Sequence, residues 1–235
     1  MRLIALLPIA LILMSPASAP AQDLEWAPFF SVEDGFSATF PGKPKVETIT
    51  YPTEYRMTLP GRVYSATDAL GTYSTTVVDY RGIQKLHDDA SAKCRAAKGA
   101  GGTDGDACQN DFRVEVAGAM DFAAWNLMKP EGTKTTHFMW YFNEMIAGRL
   151  LQVRNPDQSR TFAVIHQHAG RLYIHKATVQ PKMPEPVLFQ QNIGFLNEAG
   201  KSVRYREFYT EGYGEWKFPS PPPARTERDL NTSIY

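Results

Sequence analysis

The chain has 235 residues, of which 25 are basic and 25 acidic, so its formal net charge at pH 7 is zero. This balance excludes the strongly basic surface that is typical of a nucleic-acid-binding domain. Hydrophobic residues make up 43 % of the chain, which is enough for a large core. Because no linker divides the middle of the sequence, we expect a single domain over residues 26–213.

Residues 1–21 have the layout of a secretory signal peptide. Arg2 precedes an apolar run over residues 3–14, and small residues follow at positions suited to cleavage: Ala17, Ala19 and Ala21. The run is shorter than the about 20 residues that a membrane-spanning helix needs, and no cysteine for lipid attachment follows it. We expect cleavage after Ala19 or Ala21, and a periplasmic or secreted protein without a stable membrane anchor.

The chain has two cysteines, Cys94 and Cys108. In an oxidising compartment a disulfide between them is the expected state. It would close a Gly-rich insert, and the chain-entropy model assigns a loop of this size about 3 kcal/mol of stabilisation. Two thiols at this spacing favour neither a zinc site nor a C-x-x-C redox pair.

Residues 36–80 alternate β-rich runs with turn signals. Both FPGK at residues 40–43 and LPGR at residues 59–62 place Pro second and Gly third, as a type II turn requires. The pattern predicts an antiparallel meander. Its strands are expected over residues 36–40, 46–51, 55–59, 62–69 and 73–80.

The hydrophobic period then changes to that of a helix. Apolar residues recur at helical spacing in a run that stops before Gly99: Ile83, Leu86, Ala90, Cys94 and Ala97. We expect a helix over residues 83–98 that covers the core, with His87 on or beside its polar face.

Four more strands are predicted over residues 112–116, 123–128, 135–145 and 149–154. The third carries an aromatic face, which we expect to lie in the core: Phe138, Trp140 and Phe142. An apolar stripe at Phe189, Ile193 and Leu196 then predicts a second helix over residues 185–199. An aromatic segment from Tyr205 either docks on the domain or forms a contact surface, and the Pro-rich tail 214–235 should be mobile.

The fold class that follows is α+β. We expect an antiparallel β-sheet of about seven or more strands, with two main helices packed on it.

A hairpin over residues 161–178 carries the one local concentration of metal-type ligands. If Ala169 and Gly170 form its turn, the alternation of side chains gathers His166, His168 and His175 on one face. Three imidazoles can bind Zn, Cu or Ni. The alternative is a solvated or helix-covered polar face without a cofactor, since Arg171 would repel a cation and no carboxylate lies nearby to orient a ring.

Signatures of common enzymes are missing from the sequence. It contains no G-x-S-x-G elbow, no H-E-x-x-H pair and no dinucleotide-binding fingerprint. We therefore expect no catalytic residues, although a hydrolase whose triad is assembled from distant residues stays an alternative.

Two stretches, FSATFPGKP near the start and RLYIHKAT in the hairpin, together with a closing FQQNIGFL segment, resemble an uncharacterised family of exported bacterial proteins. Its architecture is similar to that of PsbP-like α/β sandwich domains. The resemblance implies a binding or assembly subunit rather than an enzyme, and it carries over no site residue. We expect a non-catalytic module that contacts an envelope protein or a small ligand, with a metal-binding protein as the alternative.

Overall fold

The structure is a computed structural model that describes residues 25–98 and 108–211. The predicted signal peptide, the insert over residues 99–107 and the predicted tail 214–235 lie outside the described residues.

Seven antiparallel strands form the larger sheet, in the order β3-β4-β5-β9-β8-β7-β6. Strands that are consecutive in the chain are adjacent in this sheet, with one exception. Strand β5 pairs with β9 instead of with β6. The strands are β3 (Lys45–Pro52), β4 (Thr58–Thr67), β5 (Gly71–Asp79), β6 (Lys134–Asn143), β7 (Ile146–Arg154), β8 (Arg160–His168) and β9 (Arg171–Val179).

A smaller sheet of three strands brings the two ends of the described chain together. Strand β2 (Phe36–Pro41) pairs with β1 (Trp26–Ser31) on one side and with the short β10 (Gly194–Phe195) on the other. The predicted α+β class and the large antiparallel sheet are therefore confirmed.

Two long helices lie between β5 and β6 in the chain. Helix α1 (Ile83–Lys98) has the predicted bounds, and helix α2 (Phe112–Met128) follows it. Cys94 of α1 forms the predicted disulfide with Cys108, 14 residues further on. In the described part of the chain, no helix is long and apolar enough to cross a membrane.

The prediction of two strands over residues 112–116 and 123–128 is wrong, because this segment is helix α2. Apolar and polar residues alternate near the ends of this segment, which is typical of a strand. Its middle, however, is rich in alanine, the strongest helix former. The side chains it buries follow a helical period: Glu115, Ala119, Met120, Ala123 and Ala124.

The predicted helix over residues 185–199 is also wrong. Only Val187–Gln190, which we call α3, is helical. After it, Gly194 and Phe195 pair with β2, and the amide of Leu196 donates to the carbonyl of Gly35 at 2.9 Å. The backbone therefore hydrogen-bonds to another strand, and the apolar residues are buried without a helical turn.

The predicted turn at residues 59–62 is absent, since β4 continues through it. Pro60 is tolerated because β4 pairs there with β3 only, and the pairing with β5 begins at Gly61. A proline in a strand suits a position where one side needs no N–H donor. At the other predicted turn, Gly42 has the positive φ of 74° that a type II turn demands.

The two faces of the large sheet bury two separate cores. Helix α2, together with Ile83 at the start of α1, covers one face, where Leu151, Ile165 and Leu172 are fully buried. The small sheet and α3 cover the other face, where the core is mainly aromatic. The second core therefore lies between two sheets, and the hairpin β8–β9 contributes side chains to both.

Candidate functional site

The histidine-bearing hairpin has the predicted register. Ala169 and Gly170 form its turn, with positive φ values of 49° and 70° that suit a two-residue hairpin loop. His168 lies opposite Arg171, His166 opposite Tyr173, and Val164 opposite His175. The three histidines do share one face, as the sequence indicates.

This face is interior rather than solvated, because it packs against the small sheet and α3. The side chains of His166, His168 and His175 are at most 3 % exposed. The His175 ring donates from Nε2 to the carbonyl of Phe189 at 2.8 Å, while its Nδ1 accepts from the hydroxyl of Thr75, also at 2.8 Å. His175 thus ties α3 to the large sheet.

Each of the other two rings is held through one nitrogen, since Nε2 of His166 and Nδ1 of His168 have no hydrogen-bond partner among the described residues. Nδ1 of His166 donates to the carbonyl of Ala147 at 3.1 Å, and Nε2 of His168 lies 3.0 Å from the hydroxyl of Tyr205. In the ranges 25–98 and 108–211, no three His, Cys, Asp or Glu side chains are placed so that they could hold a metal ion. These hydrogen bonds favour a structural role for the histidines.

Burial disfavours the charged imidazolium, and it lowers the pKa of His166, His168 and His175 from 6.5 to about 4. Between these two values the unfolded chain binds protons that the folded chain excludes. Folding stability is therefore complete above the unfolded pKa and falls as the pH is lowered through this window.

We expect the free energy of unfolding, measured by urea denaturation, to decrease steadily from pH 6.5 towards pH 4, the interval between the unfolded and folded pKa values. Each excluded proton contributes up to about 1.4 kcal/mol per pH unit. The variant His166→Gln should have a shallower slope by one proton, whatever its absolute stability. An unchanged slope in this variant would show that His166 titrates normally in the folded protein.

The described part of the aromatic C-terminal segment docks on the domain. Tyr205 and Tyr209 stack on each other at 4.8 Å and pack against the ring of His168. The hydroxyl of Tyr209 accepts from the amide of Ala169 at 3.3 Å, and Glu211 accepts from the amide of Gly170. We call residues 201–211 the C-terminal strap.

A buried polar pair, His87 of α1 and Glu115 of α2, was missed by the sequence analysis. The two side chains are 4 % and 1 % exposed, and Nε2 of His87 is hydrogen-bonded to Oε2 of Glu115. The prediction that His87 lies on or beside the polar face of α1 is therefore wrong, because its side chain is buried. The pair is not evident from the sequence, because the alternation over residues 112–116 predicts a strand rather than a helix that could face α1.

The described histidines do not form a hydrolytic triad. His87 bonds a carboxylate but no hydroxyl, and His175 bonds the hydroxyl of Thr75 but no carboxylate. In the portion of the chain that the structure describes, no imidazole connects both groups.

A charged cluster fastens the small sheet to the large one. The guanidinium of Arg62 donates to both carboxylate oxygens of Asp34, at 2.7 and 2.6 Å, and also to Glu33. The hydroxyl of Tyr64 donates to Asp34 as well, and burial with this carboxylate raises the pKa of Tyr64 to about 12. Because each charge is already paired, the cluster explains sheet attachment rather than ligand binding.

An apolar groove opens where the small sheet meets α3. Its cavity measures about 500 Å³. Three aromatic rings form its wall, with Tyr73 lying 4.8 Å from Trp26 and 5.0 Å from Phe189 between centroids. Leu70 and Leu188 line the mouth and are 42 % and 87 % exposed. We call this cavity the aromatic groove.

Few polar groups reach the aromatic groove. They belong to Thr39, Glu185 and Asn192, and the amide of Asn192 donates to the carbonyl of Thr39 at 3.1 Å. Sequence reasoning missed the groove because its walls come from β1, β5 and the segment 184–192, which are far apart in the chain. The two prolines at 184 and 186 hold that segment extended before α3 begins.

A second apolar surface lies on β6, the edge strand of the large sheet. The aromatic face predicted to be core is exposed, with Phe138, Trp140 and Phe142 at 46 %, 71 % and 57 %. Helix α2 does not extend over it. The guanidinium of Arg149 lies over the ring of Trp140 instead, with Cζ 4.0 Å from the ring centroid. At its end, Phe142 contacts Phe208 of the C-terminal strap.

No family model, curated protein or solved structure matches the chain. Its function is therefore argued from its own geometry.

Proposed function

We propose that the chain is an exported, non-catalytic binding module that takes up a small apolar ligand in the aromatic groove. One observation carries the proposal. The groove combines a cavity of about 500 Å³ with an almost wholly apolar wall, and ligand sites are typically cavities of about 300–1,000 Å³ lined by aromatic and hydrophobic side chains.

The exposure of the groove residues supports the same conclusion. Trp26, Leu70 and Leu188 stand side by side with 40 %, 42 % and 87 % of their surfaces exposed to water. Adjacent exposed apolar residues around a concavity are costly unless something covers them, and they mark binding sites more often than single exposed residues do.

Export and the finer fold assignment belong to the proposal as well. The disulfide between Cys94 and Cys108 supports export, because such bonds persist in oxidising compartments. A PsbP-like architecture is supported by helices that cover one face of an antiparallel sheet. The contacts of the buried histidines with Thr75, Ala147 and Phe189 favour this module over the metal-binding alternative.

The aromatic face of β6 would be the surface for the assembly alternative. Its central residues carry no charge that would block pairing with another strand. Arg149 and Phe208 contact only part of this face. Since nothing in the described structure identifies its partner, the groove and not the strand carries the proposal.

Binding of the neutral fluorescent probe N-phenyl-1-naphthylamine tests the groove. We expect saturable binding by the wild-type protein and at least about a tenfold weaker affinity in Leu188→Asp. The reason is that burying a leucine side chain contributes about 1.5–3 kcal/mol and each 1.4 kcal/mol is a factor of about ten. Leu188 is 87 % exposed, so the substitution should leave the fold intact.

The matched control is Val114→Asp, which places the same charge at another exposed apolar position, on α2 and outside the groove. This variant should bind the probe as the wild type does. Equal affinities in both variants, or no saturable binding by the wild type, would contradict the groove as the ligand site.

A further inference from the structure

Three cationic residues lie side by side across the end of the large sheet. Lys134 of β6 is directly opposite Arg154 of β7, and Arg154 is directly opposite Arg160 of β8. Directly opposed residues in antiparallel strands point to the same face, with Cβ atoms about 4.5–5.5 Å apart. We call these three residues the cationic row.

The cationic row has too little negative charge to balance it. Among the described residues, the one ion pair that it makes joins Nη1 of Arg160 to Glu185, at 3.3 Å with both side chains partly exposed. Lys134 and Arg154 have no carboxylate within salt-bridge distance in the described ranges. Like charges directly opposite each other destabilise a sheet, so the arrangement costs stability unless an anion binds there.

Two of the three residues of the cationic row border a cavity of about 150 Å³, and Lys134 is not among its lining residues. Arg154 and Arg160 line this cavity together with Gln152, His137 and Glu185. It lies on the same face of the large sheet as the aromatic core, because Phe162, two residues after Arg160 in β8, lines it too. The cavity is polar and large enough for a carboxylate or a phosphate group.

The cavity at the cationic row and the aromatic groove are adjacent, since Glu185 lines both of them. A ligand that extends past Glu185 would have an apolar part against Trp26, Tyr73 and Phe189 and a polar end beside Arg154. A ligand that spans both cavities would therefore meet an aromatic end and a cationic end.

We propose that the ligand is an amphiphile whose apolar chain occupies the aromatic groove and whose anionic head group, a carboxylate or a phosphate, binds at the cationic row. This inference rests on the proposed function of the groove and adds the chemical class of the ligand. Guanidinium groups suit the role because they hold planar oxyanions with two parallel hydrogen bonds.

Arg160 is already oriented for such a contact. One of its terminal nitrogens donates to the carbonyl of Met183, and its guanidinium lies 5.5 Å from the centroid of Phe162. The head group takes the place of the Glu185 carboxylate on Nη1. Because the carboxylate of Glu185 is half exposed, it regains water when it is released, and the exchange costs little.

The test is competition against N-phenyl-1-naphthylamine by three ligands that share one alkyl chain: dodecanoate, dodecyl phosphate and uncharged dodecan-1-ol. We expect the two anions to displace the probe from the wild-type protein at concentrations about tenfold lower than the alcohol does. Their advantage should shrink as the salt concentration rises, because the cationic row is partly exposed and is screened. The ratio of the two anions identifies the preferred head group.

The variant Arg154→Gln removes a cation that makes no ion pair in the described structure. It should weaken binding of the anions about five- to tenfold and leave the affinities of dodecan-1-ol and of the probe unchanged. The control Arg95→Gln removes an exposed charge on α1, away from the site, and should change none of these affinities.

The outcomes separate the two proposals. If the probe and the alcohol bind but the anions have no advantage, or if Arg154→Gln lowers all affinities equally, the cationic row is not a head-group site, while the groove proposal stands. If neither the probe nor the alcohol binds, the groove proposal itself fails.

Discussion

We expect Glu115→Ala to lower the free energy of unfolding by about 3–5 kcal/mol, the loss that follows when one partner of a buried pair is removed. Glu115 is 1 % exposed, and among the described residues its one hydrogen-bond partner is Nε2 of His87, itself 4 % exposed. Without the carboxylate, the buried Nε2 of His87 loses this hydrogen bond. Urea denaturation at neutral pH measures the loss.

Two further variants show whether this loss arises from the buried pair. The double variant His87→Leu with Glu115→Leu should recover a large part of the stability, because two apolar groups of similar size need no partners. Lys85→Ala breaks the exposed pair with Asp89 on the same helix and should not change the midpoint measurably. If Glu115→Ala were as mild as Lys85→Ala, the two helices would not meet through this pair.

Phe189→Ala should cost about 3–5 kcal/mol, the usual loss for truncating a fully buried phenylalanine. Phe189 is 2 % exposed although it lies in a helix of a single turn. Its ring stacks on His175 at 4.1 Å and meets Phe40 and Tyr73 at 5.5 and 5.0 Å. The substitution would open a cavity between the two sheets.

The neighbouring residue provides the control. Leu188 is 87 % exposed, so Leu188→Ala should change stability by no more than about 0.5 kcal/mol. Thermal or urea denaturation of the two variants compares adjacent positions of one helical turn. Similar losses at both positions would mean that α3 packs on the sheet through a different face.

The sequence predicts best where local periodicity and turn chemistry agree. The hairpin has the expected register because Ala169 and Gly170 suit a two-residue turn, and the resulting pairing places Ile165 directly opposite Ile174 on one core face. Helix α1 has its expected bounds, but the predicted apolar stripe is not its buried face. Leu86 is exposed, and the buried positions are Ile83, His87 and Ser91.

Prediction failed where tertiary contacts decide the local structure. Residues 185–199 have an apolar stripe that suits a helix, yet Gly194 and Phe195 gain strand hydrogen bonds from β2, more than 150 residues earlier in the chain. The alternation in β6 correctly indicates a strand but does not say which face is covered, and the aromatic face is exposed. The burial of a side chain depends on the elements that pack against it, and the sequence of a single segment does not encode them.

The candidate site could not be predicted from the sequence for the same reason. Trp26, Tyr73 and Phe189 meet only because β1 and α3 pack on the same face of the large sheet. The histidines that were predicted as ligands are together as expected, but their burial changes what they do. Three imidazoles on one strand face indicate proximity, whereas metal binding also requires that their nitrogen atoms converge on one point, which they do not do in the described structure.

The pairing of β2 with β10 has a consequence for the order of folding. Ser37 pairs with Gly194 and Phe36 with Phe195, so ribosomes finish nearly the whole chain before the small sheet can close. Contacts between such distant residues form late, because the intervening loop must first lose its conformational entropy. Until then the aromatic core between the sheets stays open to water. In a nascent chain of this topology, the two halves of the small sheet therefore meet only after most of the chain has been synthesised.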